Sequence, residues 1–284
     1  MLGKTVVFTG ATSGIGEVAA LHLAASGARL ILVARDAARA RATLERLATA
    51  GLGAKHSVYL ADLALISEQR RVAGEIAAAE PRVDVLINNA GALLMRPKRT
   101  ADGLAATFAT NHLAYFVLTL LLLPRLRAAP AGRVVCTSSR AHQRGRLDFA
   151  NLQRDGWAGY AQSKLANLLF VRRLAQRLAG TSVTANALHP GFVATRFGDS
   201  SGFGWRTVVR LLKAVTAIPP EAGARTLSYL AESPEVEGRS GGYYVDEVLT
   251  EPSRRARNEA DAARLWEISA QLTGVDYTPS GTHP

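Results

Sequence analysis

The sequence predicts one α/β domain, a doubly wound parallel sheet of about seven strands with helices on both faces. Three observations carry this. Short β-branched runs alternate with helix-like segments along most of the chain, the order that builds a parallel sheet covered on both sides. A glycine-rich turn, "TGATSGIG" (9–16), follows the first strand directly. Neither a linker nor a solenoid-type repeat interrupts the 284 residues, a length that by itself permits one or two domains.

The elements follow in order. "KTVVFTG" is a strand, followed by an alanine-rich helix to about Ser26. "ARLILVAR" precedes the helical "DAARARATLERLATAG", and "HSVYLADL" precedes "ALISEQRRVAGEIAAAE". "VDVLINNAG" leads to a long helix ending near Leu126, and "GRVVCTSS" leads through a loop to the helix of "GYAQSKLANLLF". "TSVTANALHPG" completes a sixth unit. After Gly191 the pattern loosens, and residues 195–219 are expected to cover the site or to pack as an ordinary helix. "GGYYVDE" reads as the last strand and "PSRRARNEADAARLWEISAQL" as a C-terminal helix.

Composition excludes several classes. Hydrophobic residues make up 48% and charged residues 20%, which is globular rather than disordered. A single cysteine, Cys136, rules out an internal disulfide and a cysteine-rich zinc site, and fits a reducing cytoplasm. The six histidines show no metal spacing. The opening stretch "MLGKTVVFTG" reads as neither a signal peptide nor a membrane anchor. The longest apolar run, Leu113 to Pro124, falls short of the roughly 20 residues that span a bilayer. The formal charge of +11 comes mostly from arginines spread along the chain, without a nucleic-acid motif. A basic, apolar stretch, Trp205 to Ile218, leaves peripheral membrane contact as a lesser reading.

The glycine turn has a ligand. Gly10 permits a tight exit from the strand, and Gly14 and Gly16 let a phosphate approach the backbone. The following helix N-terminus offers N–H groups and positive dipole to a pyrophosphate. Strand, glycine turn and helix in this order indicate a dinucleotide site. The second strand ends "ILVARD", near where such a site reads its ribose. An arginine there matches a 2′-phosphate, so Arg35 points to NADP(H). Asp36 reads as a helix N-cap beside it.

Tyr160 and Lys164 are four residues apart at the start of a helix and share a face. With "TGATSGIG", "ADL" (61–63), "NNAG" (88–91), Asn111, "SS" (138–139), "YAQSK" (160–164) and "HPG" (189–191), the chain resembles the short-chain dehydrogenase/reductase family from Lys4 to about Leu272. "SSRAH", the long loop "QRGRLDFANLQRDGW", "YAQSKLANLLF", "HPGFVATRF" and "ARNEADAARLWEIS" are similar to the retinol-dehydrogenase-like branch. Membrane-bound members carry an N-terminal apolar anchor, whereas this chain starts at the first strand. The resemblance implies a Rossmann-type fold and an oxidoreductase interconverting alcohols and carbonyls.

It also implies roles. Gly10, Thr12, Ser13, Gly14, Ile15 and Gly16 would line the pyrophosphate turn, with Asp62 and Leu63 beside the adenine. Asn89, Ala90 and Gly91 would hold the adenosine side. Pro190, Gly191, Val193 and Thr195 would meet the nicotinamide. Asn111, Ser139, Tyr160 and Lys164 would form the catalytic set, and Lys164 would also bond the nicotinamide ribose.

Carbonyl reduction needs a hydride on carbon and a proton on oxygen. Lys164 is expected to lower the pKa of Tyr160. Ser139 would donate to the developing oxyanion. Asn111, a poor residue for a helix interior, would hold a water that links Lys164 to solvent. His112, His189, Ser138 and Cys136 read as structural. The leading expectation is a cytoplasmic NADPH-dependent reductase of a small apolar or aromatic carbonyl compound. A ketoreductase of secondary-metabolite, polyketide-like substrates and a non-catalytic NADP-binding regulatory or scaffold protein stand as alternatives. Apolar residues on the long helices around Asn111 and Tyr160 suggest a homodimer or homotetramer.

Overall fold

The computed structural model describes residues 1–51, 53–191 and 220–277. Val193, Thr195 and the expected cover at 195–219 lie outside the described residues. One sheet runs in the order β3-β2-β1-β4-β5-β6-β7-β8. Its strands are β1 (Thr5–Thr9), β2 (Arg29–Ala34), β3 (Ser57–Leu60), β4 (Val85–Asn88), β5 (Gly132–Thr137), β6 (Val183–His189), β7 (Tyr243–Val245) and β8 (Val248–Leu249). The first seven pair in parallel, and β8 runs antiparallel to β7. Among the described residues the helices are α1 (Gly14–Ala25), α2 (Ala37–Ala50), α3 (Ile66–Ala79), α4 (Ala106–Arg127), α5 (Gly156–Arg177), α6 (Pro220–Glu232) and α7 (Glu259–Thr273).

The period of two along each strand divides the core between the two faces. Val7, Ile31, Val33, Leu86 and Val134 point to the layer of α3, α4, α5 and α7. Val6, Phe8, Leu30, Leu32, Ile87 and Val135 point to the layer of α1, α2 and α6. Strands apolar on both sides are what a sheet covered by helices on both faces requires.

Three expectations need correction. The sheet has eight strands, because "GGYYVDE" runs on into a hairpin. Asp246 and Glu247 take φ of 50° and 66°, which allows a tight two-residue connection. Helix α6, absent from the sequence reading, packs on α1. The C-terminal helix starts at Glu259, later than its sequence suggested. A 3-10 turn over Arg254–Arg257 precedes it, and Asn258 caps it by accepting from the Asp261 N–H at 3.0 Å.

Helix α4 is 22 residues long and apolar enough to cross a membrane by length and composition, but 89% of its apolar window is buried. Burial rather than shortness makes it a core helix. Its outer side, and that of α5, meets α7. The Trp266 ring lies 5.0 Å from Phe116 and stacks 5.9 Å from Phe170, between centroids. Within the chain α7 thus covers Phe116 and Phe170 on these two helices.

Candidate active site

Helices change sides between β1 and β4, so a crevice opens at the carboxyl ends of these strands. The glycine turn lies there. Gly10 and Gly14 have φ of +72° and +57°, values that side chains disfavour. Gly16 has a different reason from the expected one: a Cβ there would lie 2.1 Å from the Gly10 carbonyl oxygen. Its glycine lets α1 close onto the turn. Ser13 precedes α1 with no side-chain cap, leaving the helix N-terminus to other acceptors.

Asn89 fastens three strands together. Its Nδ2 donates to the Gly10 carbonyl at 3.1 Å after β1, and its Oδ1 accepts from Thr137 Oγ1 at 3.0 Å on β5. Thr9 Oγ1 accepts from the Asn89 and Ala90 N–H groups at 2.9 and 3.0 Å. Thr9 and Thr137 were missed from sequence, although each is the last residue of a strand beside a motif already singled out.

Arg35 follows β2 and is exposed. The Asp36 carboxylate faces away into α2, accepting from the Ala38 and Arg39 N–H groups at 3.0 and 3.1 Å. These bonds, with Arg39 and Arg35 nearby, hold its pKa below the ordinary value. Asp62 closes its own turn by accepting from the Ala64 N–H at 3.0 Å, and Leu63 is buried beneath it. Pro190 and Gly191 follow β6, at the same edge of the sheet.

The catalytic candidates converge beyond β5. Ser139 leads a 3-10 turn over Arg140–Arg144, and its Oγ accepts from the Ala141 N–H at 3.2 Å. The Ser139 hydroxyl lies near enough to the Tyr160 phenol to favour its ionised form. Lys164 is buried and donates from Nζ to the Thr137 carbonyl at 2.9 Å, with Nζ 5.7 Å from the Tyr160 ring centre. Ser138 donates to the Lys164 carbonyl at 2.7 Å, which ties the end of β5 to α5.

The electrostatics depart from expectation. Burial pushes the Tyr160 phenol up to about 12, against a lowering effect of the Ser139 hydroxyl. Burial also pulls the Lys164 ammonium down to about 8. Desolvation outweighs attraction here because Lys164 turns its charge to the Thr137 carbonyl and not to the phenolic oxygen. Burial, not the Lys164 charge, therefore sets the direction of the Tyr160 shift, opposite to the direction expected.

Asn111 lies in a π turn, Ala109–Leu113, inside α4. Its side chain accepts from the Ala92 N–H at 2.7 Å and donates to the Ala92 carbonyl at 2.9 Å and to Ser163 Oγ at 3.0 Å. Both amide donors are spent, so asparagine is explained by anchoring. Ser163 in turn donates to the Tyr160 carbonyl at 2.8 Å, a link legible in "YAQSK" but overlooked. A Cβ on Gly91 would sit 3.4 Å from Asn111 Oδ1 and 3.6 Å from Lys164 Nζ, so glycine keeps the gap between the two groups clear.

The residues read as structural are so placed. His112 is buried against Ser269, with Nε2 and Oγ 2.9 Å apart. His189 Nδ1 accepts from the Arg140 N–H at 3.4 Å. Cys136 is buried, its thiol pushed up to about 12.

Comparison with known proteins agrees with this geometry. The short chain dehydrogenase family model matches residues 4–203. Retinol dehydrogenase 14 of Mus musculus is 39% identical over 291 residues, covering 97% of this chain and 87% of its own. A solved protein from Mycobacterium Paratuberculosis superposes with a TM-score of 0.76 at 35% identity, covering 98% of this chain and 96% of its own. A Beutenbergia cavernae structure, described as an NAD(P)-dependent gluconate 5-dehydrogenase with NADP bound at low occupancy, gives 0.71 at 27% identity over 87% of this chain and 96% of its own. With its glycine turn, its Ser139–Tyr160–Lys164 cluster and these relatives, the chain belongs to the short-chain dehydrogenase family, in the retinol-dehydrogenase-like branch, and is an oxidoreductase of the NAD(P)-dependent kind.

Proposed function

We propose that this protein is an NADPH-dependent carbonyl reductase acting on small apolar or aromatic ketones and aldehydes, with Tyr160 as proton donor. The observation that carries the reading is the convergence of Ser139, Tyr160 and a buried Lys164 beyond β5, next to the strand ends that the glycine turn serves.

The residues fit a dinucleotide. The uncapped N-terminus of α1 and the left-handed Gly10 and Gly14 form a turn open to a pyrophosphate. Arg35, exposed at the ribose end of the crevice, would hold a 2′-phosphate. Gly91 is small beside Lys164, and Pro190 and Gly191 close the nicotinamide end. When bound, NADPH supplies the hydride for the carbonyl carbon.

The chain's own groups manage the oxygen. A phenol held up to about 12 keeps its proton at neutral pH, the starting state that reduction needs. Ser139 Oγ, held by the Ala141 N–H, donates to the carbonyl oxygen as negative charge develops. Tyr160 then gives its proton to the alkoxide. Lys164, charged below about pH 8, stabilises the resulting phenolate by its nearby positive charge. Asn111 holds the Ala92 loop and, through Ser163, the turn that carries Tyr160. The gap beside Gly91 leaves room for a solvent proton to reach the Tyr160–Lys164 pair and restore the phenol.

The test is a panel of apolar ketones and aldehydes assayed with NADPH, alongside calorimetric NADPH binding. Turnover is expected. Clear NADPH binding without turnover of any carbonyl would leave a binding protein rather than an enzyme.

A further inference from the structure

One aromatic side chain at the mouth of the site belongs to neither the core nor the catalytic set. Trp157 lies in the first turn of α5, three residues before Tyr160 and therefore on its face. The two rings are 5.6 Å apart between centroids and tilted by 41°. Tyr160 is 7% exposed and Trp157 is 43% exposed. A large indole left nearly half in water is unusual, since burial of such a ring is among the larger favourable terms available to a fold.

The turn that carries the indole is held in place. Gly156, with φ of +62°, starts the helix. A Cβ at Gly159 would come within 2.1 Å of the Arg154 carbonyl, so the first turn of α5 sits tightly on the chain that enters it. Asp155 precedes α5 but gives the helix no side-chain cap. Its carboxylate instead accepts from Nη1 and Nη2 of Arg99, each at 2.8 Å. Arg99 also donates to the Gln153 carbonyl at 3.2 Å, and the Gln153 side chain accepts from the Ala105 N–H at 2.5 Å. The loop before Trp157 is thus bolted to the segment before α4. Leu93, Met95 and Ala141 pack around Tyr160, so the surface that Trp157 extends is apolar.

We infer that Trp157 is an aromatic shelf that selects carbonyl compounds whose carbonyl is attached to an aryl ring, with the ring against the indole and the carbonyl oxygen at Tyr160. This rests on the reading of Tyr160 as proton donor. The shelf supplies a flat π face and apolar area, which favours an aryl group over a flexible chain that must be ordered on binding.

The experiment compares benzaldehyde and acetophenone with hexanal and cyclohexanecarbaldehyde, using NADPH, for the wild type, Trp157→Ala and Trp157→Phe. Trp157→Ala should lose about tenfold in kcat/KM for the aryl substrates and stay within about twofold for hexanal, while Trp157→Phe keeps most of the aryl preference. In parallel, calorimetry reads acetophenone binding to protein saturated with NADP, where the same alanine variant should weaken the Kd about tenfold. Melting curves check that both variants fold. Equal losses for every carbonyl, or an unchanged aryl preference and Kd, would overturn the shelf while leaving the reductase reading intact. Absence of turnover in the wild type would sink the reductase reading, and the shelf as a substrate selector with it.

Discussion

Tyr160, buried beside Ser139, is the proton donor in the proposed reaction. Tyr160→Phe removes the transferable proton but keeps the ring between Trp157 and Lys164. Steady-state kinetics should show kcat reduced by at least about 100-fold, with NADPH affinity changed by less than about threefold. Lys164 sets the alkaline limit. Its pKa of about 8 means the ammonium is present below that pH and lost above it. The pH profile of carbonyl reduction should therefore fall above about 8, and a profile flat to pH 10 would contradict the assigned role. Arg35 makes no ion pair with any described residue. Arg35→Ala should raise the KM for NADPH by roughly 10- to 100-fold, the worth of a charge-assisted bond, with little change for NADH.

At the scale of elements, the site depends on how closely segments approach. Gly16→Ala would drive a methyl into the Gly10 carbonyl, 2.1 Å away, and force α1 off the glycine turn. NADPH binding, read by fluorescence, should be lost or severely weakened, and the melting temperature should drop. Trp266→Ala on α7 would strip the ring that Phe116 and Phe170 pack against. A loss of about 3–5 kcal/mol in chemical denaturation is expected. The sequence showed most of these elements because strand and helix periods are local. It did not show β8 or α6. β8 depends on two non-glycine residues accepting positive φ, and the apolar side of α6 has meaning only against α1 and the sheet. Asn111 was legible as an anomaly in a helix. Its actual partners, Ala92 and Ser163, lie far off in sequence. The Tyr160 pKa was read with the wrong sign, since a four-residue spacing shows proximity to Lys164 but neither burial nor the direction of its Nζ.

Over the whole molecule, buried histidines set the acid limit. Burial holds both His112 and His189 down to about 4 from 6.5. In the unfolded chain they take up protons near pH 6.5, so the unfolded state binds more protons between those values. The stability that neutral histidines provide is complete above about pH 6.5 and is lost as pH falls toward 4. Thermal melts across that window should show a steady decline, whereas a melting temperature constant from pH 7 to 4 would show that these histidines do not titrate as described.

The bonds of Asn89 carry a consequence for how the chain comes together. Gly10, Asn89 and Thr137 are separated by 79 and 48 residues. The amide that joins them can close only after the strands on either side have docked. A chain released from the ribosome with β5 still unformed would lack the fastening of the cradle. Ligand capture would therefore report completed assembly rather than early collapse, and contacts so distant in sequence are slow to form. NADPH at 100 times its Kd should then hold the finished molecule against unfolding by about 2.7 kcal/mol, while leaving the rate of early folding steps unchanged.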